Sequence, residues 1–395
     1  EASPSDTSDS LAVEPLSVVR PSSDVVVPVG SRPAAKRVQC GGARYENSYS
    51  PGYAISSEAQ KQADAMSASL SLKEKADQMR GVPSKVLKGI EEQKNWDDIF
   101  RTPDNTEKGI RGFLFRDGPR GVNLDAECPM GKECYSTVFP VEIGRGASFD
   151  ADLEYLIAKA HGDETLASGH TMMLAPSINI VRHPAWGRTQ ESYGEDSFLL
   201  GRMGTAYVAG VQEYVPACPK HFAANNVEVD RRITNAVMDE QTLREIYGVA
   251  FEMTVRDGGA ACIMASYNKL NGVNAAEHKH LLTEILRNDF GFKGFVLSDW
   301  WALDNEFETD LPLEKYENTA KRSLEAGMDL EMPWALNYKY LEKLAEKNEI
   351  SAASIDLSAR RILEQKYRFN IADINKEPGL TKPTTRLDDN RSIQG

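Results

Sequence analysis

Gly294-Phe295-Val296-Leu297-Ser298-Asp299-Trp300-Trp301 is an apolar run that ends on a carboxylate beside two indoles. Four other runs end in the same way. Gly112-Phe113-Leu114-Phe115-Arg116 runs into Asp117, and Thr171-Met172-Met173-Leu174-Ala175-Pro176 leads through Ile178 and Ile180 to Arg182 and Arg188. Val215-Pro216-Ala217-Cys218-Pro219 runs into Lys220-His221, and Ala261-Cys262-Ile263-Met264-Ala265-Ser266 into Tyr267-Asn268. Short apolar runs bounded by Gly or Pro and alternating with amphipathic stretches form the βαβα pattern of a parallel sheet. In a (β/α)8 barrel the C-terminal strand ends build the active face, so these polar residues are expected to converge on one site. An open doubly wound sheet competes with that topology, but its Gly-x-Gly-x-x-Gly phosphate turn is absent. The expected fold class is α/β, a (β/α)8 TIM-barrel-like domain.

Between the strands, helices announce themselves by caps and period. After Asp239 as N-cap, Leu243, Ile246, Tyr247, Ala250 and Thr254 recur on one helical face, and after Asp150 so do Leu153, Leu156, Ile157 and Ala160. Residues 1–38 lack periodicity and are expected to form an extended arm. Residues 39–370 are expected to form the catalytic domain, and 371–395, rich in Pro, Asp, Asn, Lys and Thr, a linker.

The 395 residues are 41% hydrophobic and 27% charged, ordinary globular usage. A formal net charge of −13 repels phosphate backbones, which argues against a nucleic-acid partner. No stretch approaches the ~20 apolar residues of a membrane helix, and the mean hydropathy is −0.45. A start at Glu1 rather than Met reads as a processed end, and the close pair Cys128 and Cys134 could close a loop in an oxidising compartment. A secreted or periplasmic location is therefore expected. Cys218 and Cys262 sit in apolar runs and read as buried thiols. Cysteine and histidine spacing offers no zinc motif, and His278-Lys279-His280 reads as a solvated segment before a helix from Leu281.

Asp299 between Ser298 and two tryptophans suits a sugar site, because pyranose C–H faces stack on indoles while a carboxylate attacks or stabilises an oxocarbenium-like centre. A helix-capping Asp beside core tryptophans is the other reading of the same segment. Asp117 before Gly118-Pro119 can accept from two neighbouring hydroxyls, or simply form a turn. Lys220 and His221 are consecutive and on a strand would face opposite ways, so both reach one ligand only at a strand end. The loop Arg182-His183-Pro184-Ala185-Trp186-Gly187-Arg188 into Glu191-Ser192-Tyr193-Gly194-Glu195-Asp196 is dense in charges and reads either as a ligand loop or as an ion-pair network.

Taken together these segments resemble glycoside hydrolase family 3, the β-glucosidases and related exo-acting β-glycosidases. Asp117-Gly118-Pro119-Arg120-Gly121-Val122, the Arg182-to-Asp196 loop, Lys220-His221-Phe222-Ala223-Ala224-Asn225, Met264-Ala265-Ser266-Tyr267-Asn268, the Asp299 segment and Ala326-Gly327-Met328-Asp329-Leu330-Glu331-Met332-Pro333 occur in family order over about residues 58–370. The resemblance implies a retaining exo-β-glucosidase acting on terminal β-D-glucosyl residues of short β-glucans or β-glucosides, with Asp299 as nucleophile. It implies Asp117, Arg188, Lys220 and His221 as ligands of the non-reducing-end sugar, with Met264, Tyr267 and Trp300 around it. Glu228, Arg231 and Glu245 resemble positions that support the pocket. No metal and no cofactor is implied.

Two departures matter. Asn123 stands where many family members have Arg, which loosens the sugar preference. The second carboxyl group that retaining hydrolysis needs comes, in two-domain members, from a C-terminal α/β sandwich, the partner expected here in cis or as a separate fragment. The one-domain N-acetylglucosaminidase branch places a His-Asp pair in the loop after Lys-His, and Phe222-Ala223-Ala224-Asn225-Asn226-Val227 lacks that second His. The alternatives are a β-xylosidase or N-acetylhexosaminidase of the same family, or a catalytically weak sugar-binding barrel.

Overall fold

The structure, a computed structural model, describes residues 54–82, 99–124, 136–303 and 312–376. The expected N-terminal arm, the Cys128 and Cys134 pair and the stretch from residue 377 onward lie outside the described residues. The strands are β1 (Arg80–Val82), β2 (Phe115–Asp117), β3 (Met172–Leu174), β4 (Asn235–Ala236), β5 (Cys262–Ala265), β6 (Lys269–Leu270), β7 (Val273–Asn274), β8 (Phe295–Ser298) and β9 (Glu331–Trp334). The helices are α1 (Ser57–Ser69), α2 (Leu72–Gln78), α3 (Glu142–Gly146), α4 (Ala151–Ala167), α5 (Ser197–Val211), α6 (Glu240–Thr242), α7 (Val249–Arg256), α8 (Leu313–Ala326), α9 (Leu341–Glu346) and α10 (Ala352–Arg368). No described helix is long and apolar enough to cross a membrane.

The pairing is parallel and follows the chain. β2 lies beside β3, with Phe115 opposite Met172 and Asp117 opposite Leu174. Met173 then bridges Ala217, Ser177 bridges Lys220, and Phe222 bridges Ala265 of β5. β5 pairs with β8 over four residues, Leu297 bridges Leu330, and β9 returns to β1 through the Arg80 and Glu331 pair. The order is thus β2, β3, the 217–222 segment, β5, β8, β9, β1, an α/β array of parallel neighbours in which the first strand lies beside the last. β4, β6 and β7 form a separate small sheet beside the loop that follows His221.

Caps explain where the helices begin. Ser71 and Glu74 form a reciprocal capping box at α2, and Asp150, Asp196 and Asp239 each accept from a main-chain N–H three residues on. The helix faces, however, depart from the apolar pattern. In α4, Leu153 and Leu156 are exposed, whereas Glu154, Ile157, Ala158, His161 and Thr165 are buried. The buried face instead carries Glu154, paired with Arg145, together with Ile157, Ala158 and Leu166. After α6 the chain makes a wide π turn over Leu243–Tyr247, which turns Ile246 outward while Leu243, Tyr247, Ala250 and Thr254 stay inside. The helix expected from Leu281 begins one residue earlier, where half-buried His280 sits between Glu240 and Glu284.

Two further expectations change. Cys218 and Cys262 are not thiols but form a disulfide, because parallel neighbours bring their Cα atoms to 4.5 Å. Packing also continues past residue 370: Ile371 and Ala372 are buried, and the Ile374 N–H donates to the Gly109 carbonyl at 3.0 Å. The apolar interior gives the chain a reason to continue there, whatever its composition suggests.

Candidate active site

The strand ends bring the charged residues together. Asp117 closes β2 and accepts from Lys220 Nζ at 2.6 Å. The next residue, His221, holds Nε2 3.5 Å from Asp299 Oδ2 and 2.9 Å from Arg188 Nη1. The Lys220–His221 peptide is cis, and both side chains reach this cluster instead of diverging as on a regular strand. Arg188 is held from its other edge by Glu191, with Nε at 3.1 Å and Nη2 at 2.7 Å from one carboxylate oxygen. A cavity of about 820 Å³ opens beside Asp117, Arg188 and Lys220, with Arg120, Asn123 and Glu191 in its wall.

Asp299 follows β8 and is 7% exposed. Its Oδ1 accepts the Trp300 main-chain N–H at 2.7 Å, while Oδ2 is buried without a hydrogen-bond partner. Burial raises its pKa, against the opposing pull of Arg188, Lys220, the Trp300 N–H and the Tyr267 hydroxyl. Burial also lowers the His221 pKa well below its ordinary value, and the cations Arg188, Lys220 and Arg231 push it the same way. A carboxylate with one free oxygen, ringed by cations and a neutral imidazole, is equipped to act as a nucleophile. Because it must be ionised to attack, the acid limb of any Asp299-dependent rate should have its midpoint above ~4, the ordinary aspartate value. Arg188→Met should move that midpoint further up in a pH profile of kcat/KM; an unmoved or lowered midpoint would contradict this electrostatic account.

Two guanidinium groups lie over the Tyr267 ring, Arg231 at 4.1 Å and Arg232 at 4.5 Å from the ring centre. Arg231 is in turn tied to Glu228 at 2.8 Å, and Glu228 also accepts from Trp186 Nε1 at 3.2 Å and Asn225 Nδ2 at 3.3 Å. The Arg182 loop thus holds the ion-pair network its composition suggested, with Glu191 fastening Arg188 beside the cavity and Glu228, from outside the loop, accepting from the buried Trp186.

Not every expected residue joins the cluster through its side chain. Trp300 is 8% exposed; its indole N–H donates to the Ile99 carbonyl at 2.7 Å and its ring packs on Phe115 and Phe100. The Trp300 side chain thus belongs to the interior, and its main-chain N–H is what reaches Asp299. Met264 lies buried in the apolar core of β5. Glu245 is on the exposed side of the π turn and accepts from Gln241, away from the pocket, because the turn rotates it outward. Arg182 stacks over Tyr247 at 5.9 Å.

Asn179, Glu191 and Arg232 were missed. Asn179 had a readable signal: Ser177-Ile178-Asn179-Ile180 alternates polar and apolar residues directly after β3, so Ser177 and Asn179 share one face. The only signal for Glu191 was the charge density of its loop, and Arg232 had none, since their roles depend on which cation or ring the fold brings opposite them.

The profile described as "Glycosyl hydrolase family 3 N terminal domain" matches residues 119–365. A β-glucosidase of Rhizobium radiobacter is 35% identical over 299 residues, which cover 75% of this chain and 34% of that protein. An exo-α-(1→6)-L-arabinopyranosidase of Bifidobacterium breve is 33% identical over 319 residues, 76% of this chain and 38% of that protein. Among solved structures, β-glucosidase 3B from Thermotoga neapolitana in complex with glucose aligns with a TM-score of 0.68 at 31% identity, over 80% of this chain and 44% of that one. The chain spans about a third of the length of the curated relatives it matches.

Proposed function

Because the chain belongs to glycosyl hydrolase family 3, we propose that it carries the nucleophile and the glycone site of a retaining exo-β-glucosidase acting on terminal β-D-glucosyl residues. The single observation that carries the reading is Asp299, whose buried Oδ2 accepts no hydrogen bond and lies 3.5 Å from His221 Nε2, which in turn meets Arg188 at the cavity wall. The parallel array, with its first strand beside its last, is taken as a (β/α)8 barrel whose strand ends form this face.

In the proposed first step, an Asp299 oxygen attacks the anomeric carbon and the bond to the leaving-group oxygen breaks, giving a glycosyl ester on Asp299. Water then displaces the sugar from Asp299 and releases it with its original configuration. Asp117, held by Lys220, accepts from paired sugar hydroxyls, and Arg188 donates to them. Protonation of a poor leaving group needs a second carboxyl group, proposed to come from the C-terminal α/β domain that extends the family's two-domain members. A secreted or periplasmic location is part of the proposal, supported by the Cys218–Cys262 disulfide, which persists in oxidising compartments. A second reading keeps the chemistry and changes the glycone to a pyranoside lacking the hydroxymethyl group; the similarity to arabinopyranosidases favours it over other sugars.

Intact mass after incubation with 2-deoxy-2-fluoro-β-glucosyl fluoride, followed by peptide mapping, tests the proposal. One glycosyl adduct on Asp299 is expected. An adduct only with the corresponding pentopyranosyl reagent would transfer the site to the second reading. No adduct with either reagent, even after the C-terminal domain of a relative is supplied, would leave a sugar-binding domain without chemistry.

A further inference from the structure

Asn179 lies beside His221 in the parallel register that pairs Ser177 with Lys220, and it is 3% exposed. Three contacts join its amide to that one residue. The His221 main-chain N–H donates to Asn179 Oδ1 at 2.9 Å, and Asn179 Nδ2 donates to the His221 carbonyl at 2.8 Å. An N–H can only donate and a carbonyl can only accept, so these two bonds leave the amide a single orientation. The third contact joins Oδ1 to the ring nitrogen Nδ1 at 3.1 Å. Since Oδ1 is an acceptor, Nδ1 must carry the ring hydrogen.

The other face of the ring agrees independently. Arg188 Nη1 is a donor without acceptor capacity, and it lies 2.9 Å from His221 Nε2, so Nε2 is the bare nitrogen. Asn179 is itself fastened, its carbonyl accepting from Ser192 Oγ at 2.6 Å within the segment that carries Arg188 and Glu191.

We infer that Asn179 is a positioning residue that fixes His221 in the Nδ1–H tautomer, and thereby both aims Arg188 into the cavity and keeps Asp299 Oδ2 free to react. The second consequence follows from the 3.5 Å between Nε2 and Oδ2. A hydrogen on Nε2 would be drawn to that oxygen and would occupy the lone pair needed for attack, and it would meet the Arg188 donor head on. A bare Nε2 does neither. The consequence for Asp299 rests on the glycosidase reading, whereas the tautomer does not.

The test is a long-range ¹H–¹⁵N correlation spectrum of the full chain labelled with ¹⁵N-histidine, with the His221 ring assigned by its disappearance in His221→Gln. The wild-type ring is expected to show the Nδ1–H pattern. Asn179→Ala should mix in the Nε2–H form, and Asn179→Asp, which keeps the acceptor, should restore the Nδ1–H pattern. With 2,4-dinitrophenyl β-glucoside, Asn179→Ala should lower kcat/KM by about 10- to 100-fold, the scale of one buried hydrogen bond left unmade. An Nε2–H pattern in the wild type, or an Asn179→Ala spectrum identical to wild type, overturns the inference. The expected tautomer shift in a chain that cleaves no glycoside upholds the role of Asn179 and removes the glycosidase reading instead.

Discussion

Asp299→Ala should lower the turnover of 2,4-dinitrophenyl β-glucoside by about 10⁴-fold or more, because a lost nucleophile is not replaced by the groups around it. That substrate is chosen because its leaving group departs without protonation, so the result does not depend on a second carboxyl group. Azide should restore a large part of the rate by filling the space of the missing carboxylate, and the product should be the glycosyl azide of inverted configuration. The substitution should not harm the fold. The Asp299 side chain accepts one hydrogen bond, from the Trp300 main-chain N–H, and its buried Oδ2 accepts none, so its removal relieves an unsatisfied polar atom, while the main-chain bond from Ala302 N–H to the Asp299 carbonyl stays in place. The variant is expected to melt at or above the wild-type temperature in a thermal scan. An active variant without azide would identify another nucleophile; an inactive one that melts several degrees lower would mean that Asp299 holds the fold.

The largest stability effect is expected at Glu154, which is buried in α4. Arg145 Nε and Nη2 meet the two oxygens of this carboxylate at 2.7 and 3.0 Å, and the Tyr193 hydroxyl donates to it at 2.6 Å. Neither Arg145 nor Glu154 reaches solvent to any useful extent. A second acid, Glu142, is buried beside them, and burial pushes its carboxyl well above the usual range, so Glu154 is the partner that balances Arg145. Glu154→Ala strands a guanidinium in the interior and should cost about 3–5 kcal/mol, measured as a shift in the urea midpoint. Part of that loss should return in Glu154→Met combined with Arg145→Met, since a pair replaced by apolar groups is far less costly than a pair broken. Arg145 also donates to the carbonyls of Pro119 at 3.0 Å and Pro140 at 2.6 Å, and Pro119 belongs to the turn that follows Asp117. The single variant should therefore raise KM for a glucoside as well. Gly146 makes this network possible: a Cβ there would stand 2.0 Å from the Tyr193 carbonyl, so no other residue lets α3 approach so closely. A Glu154→Ala midpoint within ~1 kcal/mol of wild type would contradict the role given to the pair.

Much of this protein was decided by the chain alone. Five apolar runs ending on Asp117, Arg188, Lys220-His221, Tyr267 and Asp299 are local features, and each run paired as a parallel neighbour as its composition required. The N-terminal caps at Asp150 and Asp239 are equally local, since a carboxylate finds a main-chain N–H three residues away whatever the rest of the chain does. Tertiary structure decided what depends on a distant partner. The inward face of α4 carries Glu154, paired with Arg145, rather than Leu153 and Leu156, and the Trp300 indole went to the Ile99 carbonyl about two hundred residues away. Cys218 found Cys262 only because two strands became neighbours, and Asn179 acquired its role only when His221 was laid across it. Periodicity and caps are written within a few residues, where sterics and main-chain hydrogen bonds act. A buried charge, indole or amide is satisfied by whichever group the fold brings within about 3 Å, and that choice exists only after the strands have assembled.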